Sequence, residues 1–314
     1  MASRGAVIGV DIGGTSTRGA VVSAEGRILR RAEIRTDPTA GTKGILSILD
    51  DLLKDGHENV GAIGVGAAGF VNFATGSITF APNLQYGDAQ VGAAVRAHTN
   101  LPVVVDNDAN AAAWGERAFG AAVGNDDIVL VTVGTGIGSG IIIAGRLIRG
   151  HTGTGAEIGH TVIDPNGPPC HCGLRGCLEQ FAAGQAIERM ARDAIRDDPG
   201  SSIIDFAGSI ESITAAHVAK AARQRDKTAL NVLKRAGTYI GIGLSNIANV
   251  FDPQVIVLGG GVISAGEPFL GPARDELFAM TTAQRRRPMR IAVGVLGDDA
   301  GILGAAALAF EEAS

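Results

Sequence analysis

All three cysteines of the 314-residue sequence, Cys170, Cys172 and Cys177, fall in one segment, CHCGLRGCLEQ. An odd number excludes a closed set of disulfides, and a C-x-C pair is too tight for an easy bridge. Thiolates at this density hold a metal. A tetrahedral Zn²⁺ takes four ligands, so the set is one short, and the missing ligand should be a histidine. The six histidines of the sequence leave open which one it is.

Phosphate chemistry is suggested by three glycine-rich turns, each directly after an apolar run. They are DIGGT at Asp11–Thr15, GTGIG at Gly134–Gly138, and Gly259-Gly260-Gly261. Converging backbone N–H groups with no side chain in the way bind phosphate oxygens. None of the three is a Walker A loop, and none is a full dinucleotide fingerprint. Asp11 suits a hydrated Mg²⁺ beside phosphates, because this hard ion prefers carboxylate and water oxygens. Gly13, Gly14, Thr15, Gly134, Thr135 and Gly136 complete the first two candidate phosphate turns, with Thr15 and Thr135 as hydroxyl donors. Gly259 to Gly261 form the third.

A third chemistry lies in VVVDNDAN, Val103–Asn110, where two carboxylates stand two positions apart between a strand and a helix. One of them is expected to cap that helix. The other, at the carboxyl end of a buried strand, is placed to accept a proton from a substrate hydroxyl. Asp108 is the candidate base, Asn107 a candidate hydroxyl ligand, and Asp106 a structural residue. Asn83, after Pro82, reads as a turn residue or as a polar ligand for a sugar.

The elements that must hold these residues follow from pattern. Val7–Val22 and Val129–Ile143 look alike: each is an apolar β-branched run, a Gly/Thr turn and a second apolar run. At an offset of 121 residues, Asp11 aligns with Thr132, which suggests two related lobes. Val60–Gly66, Val103–Asp106, Val255–Leu258 and Ile291–Val295 read as strands. Ile45–Leu53, Ala109–Phe119, Ala186–Ile195, Ala215–Arg223, Ala229–Val250 and a last segment from Ile302 read as helices. The alternation argues an α/β fold with mixed sheets. We divide the chain into an N-terminal α/β lobe over 1–120, to which the terminal helix 301–314 returns, and a C-terminal α/β lobe over 121–300. The second lobe carries the cysteine loop and two of the glycine turns, and the crossing falls near Ala121 to Asp126.

Composition removes other classes. A net charge of −5 invites neither nucleic acid nor an anionic membrane, and the one basic run, Arg285-Arg286-Arg287, reads as a solvated turn. The uncharged stretch Ile128–Gly145 holds five glycines and is short of the ~20 residues of a span, so it reads as two strands around a turn. Free thiols and the lack of an export signal in Met1–Val10 point to the cytoplasm.

Taken together, the DIGGT turn, the NDANAAA acid, AEIGH at 156–160 and C-x-C-G-x-x-G-C-x-E at 170–179 resemble the ROK family of sugar kinases. The resemblance runs from Val7 to Ala306. It implies the two-lobed actin-like ATPase (ribonuclease H-like) fold, with mixed sheets and an interlobe cleft. It implies that Glu157, His160 and Glu179 contact sugar hydroxyls together with Asn107 and Asp108, the last as catalytic base. It also implies a structural zinc held by His160, Cys170, Cys172 and Cys177. His171 is the rival fourth ligand, but between two cysteines it would compete for the same corner. The glycine turns correspond to the family's two phosphate segments and its adenosine segment. Ser16-Thr17 departs from the Lys-Ile common after the first turn in the family.

The implied reaction is phosphorylation of a hexose at its 6-hydroxyl, with ATP and Mg²⁺, by a cytoplasmic homodimer. GAAGFVN at 66–72 and FAPN at 80–83 are similar to the glucokinase branch, so glucose is the expected hexose. A mannose or N-acetylhexosamine kinase is the alternative enzyme, and polyphosphate an alternative donor. A sugar-sensing repressor would carry a winged helix before the first turn, whereas ten residues precede Asp11 and no basic recognition helix is visible.

Overall fold

The computed structural model describes residues 5–54, 60–81, 89–283 and 289–313. Asn83 and the Arg285-Arg286-Arg287 run lie outside them. Two compact units divide the chain: Met1–Leu130, Gly140–Ala156 and Gly294–Ser314 form the first, and Val131–Ser139 and Glu157–Val293 form the second.

The first unit is built on a five-stranded sheet. Strands β1 (Ala6–Ile12), β2 (Ser16–Val22) and β3 (Ile28–Arg35) form an antiparallel meander. Next to β1, in parallel, lie β4 (Val60–Ala67) and then β7 (Val103–Asn107), so the order is β3-β2-β1-β4-β7. A small hairpin, β5 (Phe70–Asn72) and β6 (Ser77–Phe80), follows β4. Helices α1 (Lys43–Leu53), α2 (Val91–Thr99) and α3 (Asp108–Phe119) complete this part of the chain. Ile45, Ile48, Leu49 and Leu52 of α1 share one core with Ile8, Val10, Ile63, Val65 and Val105 of the sheet. Each such side chain contributes roughly 1.5–3 kcal/mol when fully buried.

The first unit also contains the terminal helix, Ala300–Glu312, labelled α10 below, which packs on α3, β1 and β4. Its run of Ala and Gly is what lets it come so close. A Cβ on Gly304 would overlap the carbonyl of Ala111, and one on Gly64 the carbonyl of Ala305. Gly304→Ala is therefore expected to cost about 1–3 kcal/mol, read as a fall in urea midpoint at unchanged slope.

The 121-residue repeat appears as a second sheet with the same arrangement. Strands β8 (Ile128–Val133), β9 (Ile137–Ile143), β10 (Arg146–Leu147), β11 (Val255–Gly259) and β12 (Arg290–Val293) run in the order β10-β9-β8-β11-β12. The uncharged stretch Ile128–Gly145 is thus a hairpin, and no helix among the described residues is long and apolar enough to cross a membrane.

Helices of the second unit are α4 (Glu179–Ala182), α5 (Gly184–Asp197), α6 (Ser202–Ala207), α7 (Ala215–Arg223), α8 (Lys227–Phe251) and α9 (Glu267–Ala279). Asp226 caps α8, accepting the Ala229 N–H at 2.8 Å. Gly237 and Gly241 let α8 meet α9 at backbone distance, since Cβ atoms there would strike the carbonyls of Phe269 and Ala273.

Several short elements are absent from the sequence reading, among them α2 and the β5–β6 hairpin, and two of the absences have a plain cause. Strand β3 carries four charged residues in eight (ILRRAEIR) and lies at the sheet edge, so its alternation is weak in apolar content. Helix α9 carries Pro268 and Pro272. A proline in the first turn costs no hydrogen bond, but two in one short segment look like a loop.

Candidate active site

Parallel strands end at a common edge, and at that edge of the first unit the register sets Asp11 beside Gly66 and Gly66 beside Asp106. Ligands of α/β sheets collect at such carboxyl ends. The DIGGT turn is closed by the Gly13 N–H donating to Ser16 O at 3.0 Å. Thr36 braces it, its hydroxyl donating to Gly13 O at 2.8 Å and its N–H to Thr15 O at 2.9 Å. Asp11 Oδ2 accepts Nη2 of Arg18 at 2.7 Å. Burial pushes the Asp11 carboxyl above its ordinary value, against the pull of Arg18. Gly301, in the first turn of α10, lies against the same carboxylate, where a Cβ would come within 2.8 Å of its Cγ.

The expectation that an acid caps α3 is corrected. The cap is Asn107, whose Oδ1 accepts the N–H groups of Ala109 at 2.9 Å and Asn110 at 3.1 Å. Its Nδ2 donates to Gly69 O at 3.1 Å, leaving a second amide hydrogen for a ligand. Asp108 is the first helical residue, where the positive end of the helix favours a carboxylate. Its Oδ1 accepts its neighbour's N–H, that of Ala109, at 2.9 Å. Asp106 is buried and engaged through both oxygens.

In the second unit, His160, Cys170, Cys172 and Cys177 offer ligand atoms that all lie within 4.8 Å of one another. Cys172 Sγ and Cys177 Sγ are 3.6 Å apart, and Cys170 Sγ is 3.7 Å from Nδ1 of His160. Ligand atoms on a tetrahedral zinc with Zn–S of ~2.3 Å stand ~3.7 Å apart, the spacing of these two pairs, so the donor set is compatible with the ion. His171 is not in this group; it is 67 % exposed, with Nε2 3.4 Å from Oε1 of Glu179.

The local chain explains the convergence. Cys170 and Leu174 close a tight turn through Cys170 N–H to Leu174 O at 2.8 Å, and Val162 bridges Cys177. Gly176 (φ +71°) passes the carbonyl of Asp164, where a Cβ would overlap it. His160 ends a short 3-10 turn that Gly159 seats on the carbonyl of Ile137. Gln180 donates Nε2 to Cys170 Sγ at 3.7 Å, the outer hydrogen bond that commonly steadies a thiolate ligand. Glu157, three residues before His160, has its carboxyl raised by burial, with His160 pulling it down and Glu179 pushing it up.

Glu179 has a partner that its position in the cysteine motif does not reveal. Its Oε2 accepts the Ile137 N–H at 2.9 Å, and a Cβ on Gly136 would overlap that oxygen. The carboxylate therefore packs beneath the second glycine turn. Gly134 N–H is used within the turn, on Gly136 O at 2.9 Å, leaving those of Thr135 and Gly136 for a ligand. Gly260 (φ +89°) brings the third turn against Val133, where any side chain would collide with the backbone. Beside these turns is a cavity of about 390 Å³, whose lining includes Thr135, Gly184, Ile187, Thr214, Ala215 and Gly261. Apolar walls with glycine turns at one end suit a nucleotide base and its phosphates.

Two sheets of one strand order, each opening on a glycine-turn hairpin, define an α/β protein of the actin-like ATPase fold. Within that class, the chain belongs to the ROK family, whose model matches residues 7–312. It is 40 % identical over 313 residues to a glucokinase of Streptomyces coelicolor, covering 98 % of each chain. To a glucokinase of Thermotoga maritima it is 36 % identical over 306 residues, covering 96 % of each. It also resembles the solved ROK family glucokinase of Streptomyces griseus, in complex with glucose and AMPPNP. That match has a TM-score of 0.84 and 40 % identity, covering 98 % of this chain and 100 % of the other.

Proposed function

We propose that the chain is an ATP-dependent glucokinase, transferring the γ-phosphoryl group of ATP to the 6-hydroxyl of glucose. The observation that carries this reading is the full-length similarity at 40 % to glucokinases, one of them solved with glucose and an ATP analogue.

Asp108 is the base. Its place at the first position of α3, at the carboxyl end of a parallel strand, presents a carboxylate to a hydroxyl. It takes the 6-hydroxyl proton as that oxygen forms its bond to the γ-phosphorus and the bond to the β–γ bridging oxygen breaks, releasing ADP. Asn107 offers its remaining amide hydrogen to the sugar. Glu157, Glu179 and the ring nitrogen of His160 not facing the thiols hold other hydroxyls. Asn83 is a further candidate for sugar binding. Asp11, Gly13, Gly14 and Thr15, with Thr135, Gly136 and the Gly259–Gly261 turn, receive the nucleotide phosphates. Asp11 is the carboxylate that would meet the hydration shell of a magnesium ion bound with the nucleotide, which would offset phosphate charge. His160, Cys170, Cys172 and Cys177 would hold a structural zinc, four protein ligands leaving no position for water.

An ADP-release assay over glucose, mannose, fructose, N-acetylglucosamine and N-acetylmannosamine, each with ATP and with polyphosphate, tests the reading. Glucose with ATP should give the highest kcat/KM, and preference for another sugar would overturn the assignment. Ala215→Trp fills the cavity beside Thr135 and should raise the KM for ATP about tenfold, a loss of ~1.4 kcal/mol, with the KM for glucose unchanged. The same reading includes a cytoplasmic homodimer, which sedimentation equilibrium would test.

A further inference from the structure

Asp106 takes no part in the chemistry above, yet its carboxylate is only 3 % exposed. Its Oδ1 accepts the Asn107 N–H at 2.8 Å and Nδ2 of Asn110 at 2.9 Å, and its Oδ2 accepts Nε of Arg149 at 2.7 Å. A charge this deep needs a cation and a full set of hydrogen bonds. Arg149 supplies the cation from 43 residues away in the sequence.

The guanidinium is itself fixed from a second side. It lies over the ring of Phe73, 3.8 Å from the centroid. The segment it begins closes on itself through the Gly155 N–H to Arg149 O at 2.9 Å. That segment is also seated on β5 by Gly153 (φ +81°), where a Cβ would overlap the carbonyl of Val71. On its other side, Asp106 holds the backbone of Asn107, the cap of α3, and the side chain of Asn110 in the first turn of that helix. Asp108 lies between them.

We propose that Arg149 is a positioning residue for phosphoryl transfer: clamped to buried Asp106, it sets the first turn of α3 and so the aim of Asn107 and Asp108 at the sugar. The proposal rests on Asp108 being the base. Lysine would keep the charge but not the planar fork that both donates Nε–H to Asp106 and lies on Phe73.

The test compares Arg149→Met, Arg149→Lys, Asp106→Asn and the Arg149→Met/Asp106→Asn pair, assayed well below each variant's melting temperature. Misplacing a reacting group by about 1 Å costs on the order of 100-fold. Arg149→Met should therefore lower kcat by that order and raise the KM for glucose, with the KM for ATP unmoved. Arg149→Lys should fall between it and wild type. The double variant should lose much less kcat than the product of the two single losses, because each single change strands the other charge.

A folded Arg149→Met enzyme with wild-type kcat and glucose KM would overturn the proposal. If Arg149→Met fails to fold, Arg149→Lys decides: full turnover with only a lowered melting temperature overturns it. Asp108→Asn is assayed beside them. Turnover by that variant sinks the base assignment and this proposal together. Its inactivity, with Arg149 variants that turn over normally, sinks the positioning role alone.

Discussion

Asp108→Asn is expected to lower kcat by about 10²–10⁴-fold while glucose still binds. The substitution keeps an acceptor for the Ala109 N–H that Asp108 Oδ1 now takes at 2.9 Å, so the first turn of α3 should hold its shape. What disappears is the negative oxygen able to take a proton from the attacking hydroxyl. The accompanying loss of carboxylate–helix attraction is small, about 0.3–1 kcal/mol. Isothermal titration with glucose should return an affinity close to wild type, beside an ADP-release rate near background. A variant with normal kcat would mean that another group takes the proton. A variant unable to bind glucose would mean that Asp108 holds the sugar more than it activates it.

Loss of zinc should be as severe, by a different route. Purified protein is expected to carry one zinc per chain by elemental analysis. Replacing Cys177, fully buried and bridged to Val162, should remove the metal and collapse the loop between His160 and Leu178. Loss of a structural metal belongs among the few single changes that cost more than about 4 kcal/mol. At ~2–4 °C per kcal/mol for a unit of this size, the melting temperature should drop by roughly 8–16 °C. Glucose binding should fall with it, because Glu157, His160 and Glu179 flank or belong to that loop. Nucleotide binding, measured separately with a non-hydrolysable ATP analogue, should suffer less. Cys172→Ser, at the exposed corner, offers a milder version of the same test. Protein that retains full glucose affinity after exhaustive chelation would show the loop standing without its ion.

The sequence carried a good part of this site in its local patterns. Two hairpins 121 residues apart are visible because a buried strand must be apolar and a tight turn must be glycine-rich, whatever surrounds them. They became sheets of identical strand order. The cysteine segment suggested its chemistry because three thiols in eight positions have the spacing of metal ligands, and the fold gathers them with a histidine. Strand β3 and helix α9 escaped for equally local reasons, since charge in an edge strand and proline in a helix blur the periodicity that reveals such elements.

Which groups meet was settled by tertiary structure. Residue types named only a histidine as fourth ligand and the family resemblance named His160; it is the backbone between residues 158 and 178, which has no periodic pattern, that brings His160 to the thiols and leaves His171 beside Glu179. Asn107 rather than an aspartate caps α3 because the helix begins at Asp108, and the carboxylate of Asp106 is turned instead to Arg149. Glu179 reaches the Ile137 N–H across 42 residues, and the nucleotide-sized cavity draws its walls from several separate segments. Hydrogen bonds and apolar walls of this kind form between residues far apart in sequence. Periodicity reports which face of an element is buried; only the folded chain decides what that face is buried against.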